Sequence, residues 1–227
     1  MIKEHKFTMK NLLILLSLAL LLSGCKPDEF KATIYTNDVQ IAYTDEVIEV
    51  PILISFSLLG DDDQGIFDRV INASKKYLSP NSNFSKSKAM MGEVLVIETK
   101  IPMGSSELLS KYLQNNNRLA TLLISNTNEN SFKISLEKTR YASIFGAELN
   151  NINIMLSLDM PAKKSIFRVS SDSRKPVKVS ALAVFVARKP YLKYSRTLDR
   201  RDFVEIKFSG GDGSVYSEIS PVINISK

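Results

Sequence analysis

Every even-numbered residue from Ile48 to Leu58 is apolar (Ile48, Val50, Ile52, Ile54, Phe56, Leu58), while the odd positions include Glu49, Pro51, Ser55 and Ser57. A period of two sends successive side chains to opposite faces of an extended chain, so this segment reads as a strand with one buried face. Proline has no amide proton for a sheet ladder, which places Pro51 near an edge or at a bulge. The same alternation returns in Phe132, Ile134 and Leu136, opposed by Lys133, Ser135 and Glu137, and again from Ile152 to Met160. Residues 177–187 turn apolar on both faces towards their end, as a central strand does. Further strands are predicted at 32–41, 93–101, 118–125, 142–149, 165–170, 190–197, 203–208 and 214–223, with a turn at Gly210-Gly211-Asp212-Gly213.

Two segments break this pattern. Gln64–Leu78 sets Ile66, Phe67, Val70, Ile71, Tyr77 and Leu78 broadly on one side, with Asp62 and Asp63 before its start and Lys75 and Lys76 in its last turn. A shorter helix is expected after Gly104, capped by Ser105 or Ser106, carrying Leu108, Leu109, Tyr112 and Leu113 inward and ending at Asn115–Asn117. The polar stretch Ser79–Lys88 reads as a loop. The predicted fold class is α+β and β-rich, with mostly antiparallel sheets. Two helices belong to an N-terminal lobe over 32–140, and a C-terminal lobe over 141–227 is all-β and sandwich-like.

The first 25 residues follow a different logic. Lys3, Lys6 and Lys10 precede an apolar run of eleven residues, Leu12–Leu22, interrupted only by Ser17. A helix that crosses a bilayer needs about 20 apolar residues. Eleven suits the core of a secretory signal, and the lysines suit its charged flank. The run closes on Leu22-Ser23-Gly24-Cys25, which resembles the lipobox of bacterial lipoproteins. That resemblance implies removal of residues 1–24, a diacylglyceryl group on the Cys25 sulfur, and a short tether over 25–31. Two or three acyl chains on one residue make anchoring effectively permanent, where a single chain holds only marginally. Lys26 stands where inner-membrane lipoproteins of enterobacteria tend to carry Asp, so the resemblance points to the outer membrane, facing the periplasm, in a source with two membranes.

Composition narrows the chemistry. His5 and Cys25 are the only histidine and cysteine, and His5 belongs to the signal. The remainder cannot close a disulfide within itself, lacks the usual zinc ligands and cannot build a Ser-His-Asp or Cys-His centre. Asp61-Asp62-Asp63-Gln64-Gly65 offers oxygen ligands, but without the closing Glu of a calcium loop it reads as helix-start chemistry. Ser85-Lys86-Ser87-Lys88 and Ser135-Leu136-Glu137-Lys138 match Ser-x-x-Lys without the companion motifs of penicillin-binding proteins. No metal site, cofactor or catalytic residue is assigned. Glu93, Glu98, Glu107 and Glu148 are the carboxylates that a glycan hydrolase without histidine would draw upon.

Charge is unevenly placed. Residues 163–207 hold 13 Lys and Arg against 4 Asp and Glu, whereas residues 26–162 hold 13 against 17. In the basic part, Arg188, Lys189, Lys193, Arg196, Arg200 and Arg201 interleave with Tyr191 and Tyr194. Such a pattern suits nucleic acid in a cytosolic protein, a partner that the export signal removes. The expected partners are the membrane, through lipidated Cys25, and anionic phospholipid, lipopolysaccharide phosphate or an acidic envelope protein. The leading functional expectation is a non-catalytic binding or assembly role in the cell envelope. The alternative is a carboxylate-dependent hydrolase of envelope glycans.

Overall fold

Among the described residues eleven strands hydrogen-bond into one continuous sheet, and nine of them close into a barrel. The structure is a computed structural model that describes residues 29–59, 65–89, 92–128, 130–153, 156, 158, 164–209 and 222–226. In chain order the elements are β1 (Glu29–Tyr35), α1 (Thr36–Thr44), β2 (Ile48–Leu59), α2 (Ile66–Ser74), β3 (Asn83–Ala89), β4 (Gly92–Ser105), α3 (Ser106–Leu113) and β5 (Ala120–Asn128). They continue with β6 (Ser131–Lys138), α4 (Arg140–Ile152), β7 (Lys164–Ser170), β8 (Val177–Val186), β9 (Lys189–Leu198), β10 (Phe203–Ser209) and β11 (Val222–Ser226).

The order around the barrel is β10-β7-β1-β2-β4-β5-β6-β11-β8, with β8 returning to β10 through the pair Lys207 and Phe185. All pairings are antiparallel except β1 with β7 and β4 with β5. Val179 and Ala181 of β8 pair with both β9 and β11, and Phe185 pairs with both β9 and β10. A residue has only two edges, so β10 and β11 occupy one edge of β8 in succession and β9 takes the other. Two strands hang outside the ring, β3 on β4 and β9 on β8.

This arrangement corrects the predicted fold class. The sheet is not a sandwich-like C-terminal lobe beside an N-terminal lobe that holds the helices. Strands from both parts of the chain share one ring, a contiguous block from each, joined where β1 lies against β7 and β6 against β11. The physical reason is edge satisfaction. Closing a long sheet on itself pairs the margins that two open sheets leave exposed.

Alternation along the strands fills the interior. Phe30, Ile34, Phe56, Leu95, Ile97, Met103, Leu122, Ile124, Ile134 and Phe167 are fully buried. Phe167 sits between Phe30 and Phe208, with ring centroids 5.9 and 5.7 Å away. Pro51 lies on an interior strand, opposite Lys100 of β4, but the ladder to β1 ends one residue later at Ile52. Its missing amide therefore costs no ladder bond on that side. The expectation that residues 177–187 are covered on both faces towards their end is not met, since Leu182 and Phe185 are exposed there while Val184 is buried.

Four helices are found among the described residues, two of them in segments predicted as strands. α1 replaces the end of the strand predicted at 32–41. It has no capping side chain of its own, and its first turn is satisfied by Asp172 from the segment after β7. The Asp172 Oδ1 accepts from Asn37 N at 2.9 Å and from the Thr36 hydroxyl at 3.1 Å. α4 replaces the strand predicted at 142–149, with Thr139 accepting from Tyr141 N as its cap and Ala142, Phe145 and Leu149 buried at helical spacing. The predicted helices appear as α2 and α3, α2 being shorter than Gln64–Leu78. Gly65 precedes α2 at φ 61°, a conformation that suits glycine. Gly104 admits the backbone of α1, because a Cβ there would stand 3.4 Å from Ala42 O.

The stretch predicted as a loop at Ser79–Lys88 contains β3, which pairs with β4 while exposing every side chain but the half-buried Phe84. Of the strand predicted from Ile152 to Met160, Ile152 ends α4, Leu156 forms a β-bridge and most of the segment lies outside the described residues, as do Asp61–Gln64, the turn at 210–213 and most of 214–223.

Truncating the aromatic centre of the barrel is expected to be severe. Phe167→Ala should lower stability by about 3–5 kcal/mol, as for other large-to-small core changes, read from the shift in urea denaturation midpoint at unchanged slope.

Candidate functional site

The six cations singled out from the sequence fall on one hairpin and the turn after it. β8 reverses at Ala187-Arg188 into β9, which carries Lys189, Lys193 and Arg196, while Arg200 and Arg201 lie in the turn before β10. Among the described residues β9 pairs only with β8, and from Lys189 to Thr197 every residue is exposed except the half-buried Tyr194. Leu198 is buried and fastens its far end. The following turn is pinned to the end of β7, where Ser171 O accepts from Arg201 N at 2.7 Å and Ser171 N donates to Asp202 O at 2.8 Å.

The six are neighbours in the fold, and two of them share a concavity. Arg196 and Arg201 line an open groove of about 480 Å³ with Val186, Ala187, Asp202, Phe203, Val204 and Glu205. Arg196 Nη2 stands 3.8 Å from Asp202 Oδ2, both half exposed, a pair worth at most about 1 kcal/mol. Glu205 is held by Lys31 at 3.0 Å. Arg168 lies with its guanidinium carbon 3.9 Å from the Phe203 ring centroid, adding a cation beside the groove. Among the described residues, Arg196 is the one member of the six with an acidic partner.

Backbone conformation singles out the same region. The described non-glycine residues at positive φ are Ala183 (52°), Ala187 (49°), Arg188 (66°) and Arg201 (73°). The left-handed region costs an L-residue roughly 1–2 kcal/mol, and tight hairpin turns favour Asn-Gly there. Arginine thus occupies two positions where glycine would relieve strain. Across Ala183 the buried face of β8 shifts from Val177, Val179 and Ala181 to Val184, and Leu182 is left 63% exposed.

The four carboxylates do not converge. Glu93 and Glu98 lie five residues apart on β4, so they point to opposite faces. Glu107 on α3 is exposed and paired with Lys111 at 2.6 Å, whose hydrogen bond holds its carboxyl below the usual range. Glu148 on α4 accepts from the Tyr77 hydroxyl at 2.7 Å and from Lys76 at 3.3 Å. The Tyr77 hydrogen bond, with Lys76 adding, pulls the Glu148 carboxyl down, and the same hydrogen bond, with burial adding, pushes the Tyr77 hydroxyl up. Ser85 and Ser135 of the two Ser-x-x-Lys matches both lie on strands, β3 and β6, instead of at helix starts. No group of three or more His, Cys, Asp or Glu side chains fit to hold a metal occurs among the described residues. Cys25 lies outside the described residues.

One polar cluster escaped the sequence reading. Arg118, 8% exposed, donates to Leu78 O at 3.4 Å, to Asn117 O at 3.1 Å and to the Tyr112 hydroxyl at 3.1 Å. The Tyr112 hydroxyl in turn donates to Glu49. Burial, then the Glu49 carboxylate, pushes the Tyr112 hydroxyl up. Glu49 Oε2 and Arg118 Nε are buried without a partner. The three residues come from β2, α3 and the approach to β5, and only the fold brings them together. This cluster ties α3 to the outer face of the barrel.

Comparison with protein-family models, with curated proteins and with solved structures gives no match. The residues of the chain are therefore the sole basis for a functional reading.

Two outcomes follow from the geometry. Relief of left-handed strain, about 1–2 kcal/mol, less the entropic cost of glycine, about 0.5–1 kcal/mol, should let R188G and R201G each raise stability by up to ~1 kcal/mol in urea titrations. The depressed Glu148 carboxyl contributes stability that is complete above its unfolded value of about 4.3 and is lost as pH falls through the lower folded value. Tyr77→Phe should flatten that acid limb when denaturation midpoints are compared between neutral and acid pH.

Proposed function

We propose that this chain is a non-catalytic, lipid-anchored protein of the bacterial cell envelope, whose barrel offers the β8–β9 hairpin to anionic material. The observation that carries this reading is the hairpin itself. It carries four of the six cations, Arg200 and Arg201 follow in the turn pinned to the end of β7, and among the described residues one of the six has an acidic partner. A set of cations kept only for solubility gains nothing from sitting at strained backbone positions, whereas Arg188 and Arg201 do so. The signal-like run Leu12–Leu22 and the lipobox-like Leu22-Ser23-Gly24-Cys25 support the compartment. Binding would be electrostatic, fast and sensitive to salt, because exposed charges are screened over about 8–10 Å at physiological ionic strength. An assembly role fits a body of this kind, in which a barrel presents a charged hairpin to a partner.

The anchor and the basic hairpin are tested separately. Mass spectrometry of the protein purified from its native membrane should find diacylglyceryl on Cys25 and residues 1–24 gone, and Cys25→Ser should abolish the modification. Residues 26–227 include every described strand and helix, so this fragment reports on the hairpin without lipid. Each cation near an anionic surface contributes about 1 kcal/mol. Replacing Arg188, Lys189, Lys193, Arg196, Arg200 and Arg201 by Gln should therefore abolish salt-sensitive sedimentation of the fragment with anionic vesicles. Unchanged sedimentation would reject the hairpin as the binding surface.

A further inference from the structure

We infer that the β8–β9 hairpin is a second membrane contact, one that rests on the same lipid surface as the anchor and sets how the barrel is oriented above it. This deepens the proposed reading and depends on it for the presence of a membrane. Exposed large apolar side chains gather on this hairpin. Leu192 is 75% exposed and Leu182 is 63% exposed, and Phe185 and Tyr191 are also exposed. Leu182 pairs across the hairpin with Lys193, and Phe185 with Pro190. Apolar side chains set among Arg188, Lys189 and Lys193 match a surface that is apolar below and anionic above, with leucines reaching the acyl boundary and cations remaining at phosphate level.

An acidic polypeptide joining the free edge of β9 is the competing occupant, and the hairpin is ill suited to it. Pro190 has no amide to donate, lysines along the strand obstruct pairing, and strand addition makes no use of exposed leucines. A second copy of the chain is disfavoured because like charges would meet along the paired edges.

Position on the barrel agrees. Phe185 pairs with Lys207, Lys207 with Ile166 and Ile166 with Lys31, which places the hairpin three strand steps from β1. At about 4.8 Å per step this is ~14 Å. Lys31, Ile166 and Lys207 are half-buried on strands whose alternate residues are buried, so the row runs over the outer wall, and Lys207 Nζ lies 5.9 Å from the Phe185 ring centroid. Cys25 precedes the first residue of β1, Glu29, by four residues, which span at most ~14 Å when extended. A bilayer holding the Cys25 lipid is consequently within reach of the hairpin, and a one-point tether becomes a two-point mount.

The chain has no tryptophan, so L192W supplies a single fluorophore at the most exposed position of the hairpin. The full lipidated L192W protein is reconstituted into vesicles of neutral lipid alone or with anionic phospholipid, with or without brominated acyl chains, and flotation is measured in parallel. The expected result is flotation in both lipid mixtures, with a blue shift and bromine quenching of Trp emission in the anionic vesicles. Adding R188Q, K189Q and K193Q should remove both signals while flotation persists. Flotation with water-like, unquenched emission overturns the hairpin contact and leaves the anchor intact. Quenching in anionic vesicles with an unmodified Cys25 supports the contact and rejects the anchor. Loss of flotation together with unquenched emission rejects both. L182W, on the partner strand, repeats the measurement should L192W disturb the turn, and circular dichroism confirms the fold of each variant.

Discussion

Backbone hydrogen bonding at the margins of the sheet governs this architecture. A sheet of this length leaves unpaired amides and carbonyls along two edges, and curling until β8 meets β10 removes both from the ring. Closure also creates the core, because the inward face of every strand then meets the others around one interior. The helices are subordinate to this. α1 lies against β1, β2, β4 and β5, α3 lies against β4 and β5, and α2 and α4 pack on each other. What closure cannot absorb are β3 and β9, each paired on one side only. Both are polar or basic, as expected of edges that must not recruit other chains. β9 differs in carrying leucine and tyrosine among its cations, and that difference gives the hairpin its assigned role.

Strands with one buried face were legible in the sequence, because burial on a barrel wall imposes strict alternation, as in β2, β6 and β7. Elements held by distant partners were not. The segment that forms α1 is rich in Thr, Tyr, Ile and Val and has no local cap, and its first turn is completed by Asp172. Only the parallel alignment of β1 with β7 makes that residue available. β3 has no apolar face and exists because β4 offers a free edge. α4 is a different matter, since Thr139 followed by Ala142, Phe145 and Leu149 carried a helical signal that the β-branched and aromatic content outweighed. Barrel closure itself lies in long-range pairings such as Lys207 with Phe185, which no local pattern encodes.

The candidate site was readable in part. Interleaved cations and tyrosines identified the segment from Arg188 to Arg201, and charge asymmetry gave it weight. Sequence could not reveal that these residues stand on a doubly exposed strand, that Arg188 and Arg201 occupy left-handed backbone, or that Leu182 and Leu192 are left uncovered. Each of these depends on how the fold sets β9, the end of β8 and the turn into β10. The Glu49, Tyr112 and Arg118 cluster was invisible for a similar reason, with 63 residues separating Glu49 from the tyrosine it bonds.

Asp172 over the first turn of α1, and β7 beside β1, have a consequence for how the molecule comes into being. The opening strand and helix obtain their lateral partner and their cap from residues more than 130 positions later in the chain. A polypeptide delivered amino end first has no means of completing its beginning until most of its length has arrived. Contacts of such wide separation slow folding, so β1 and α1 are completed only once β7 and the segment after it are in place.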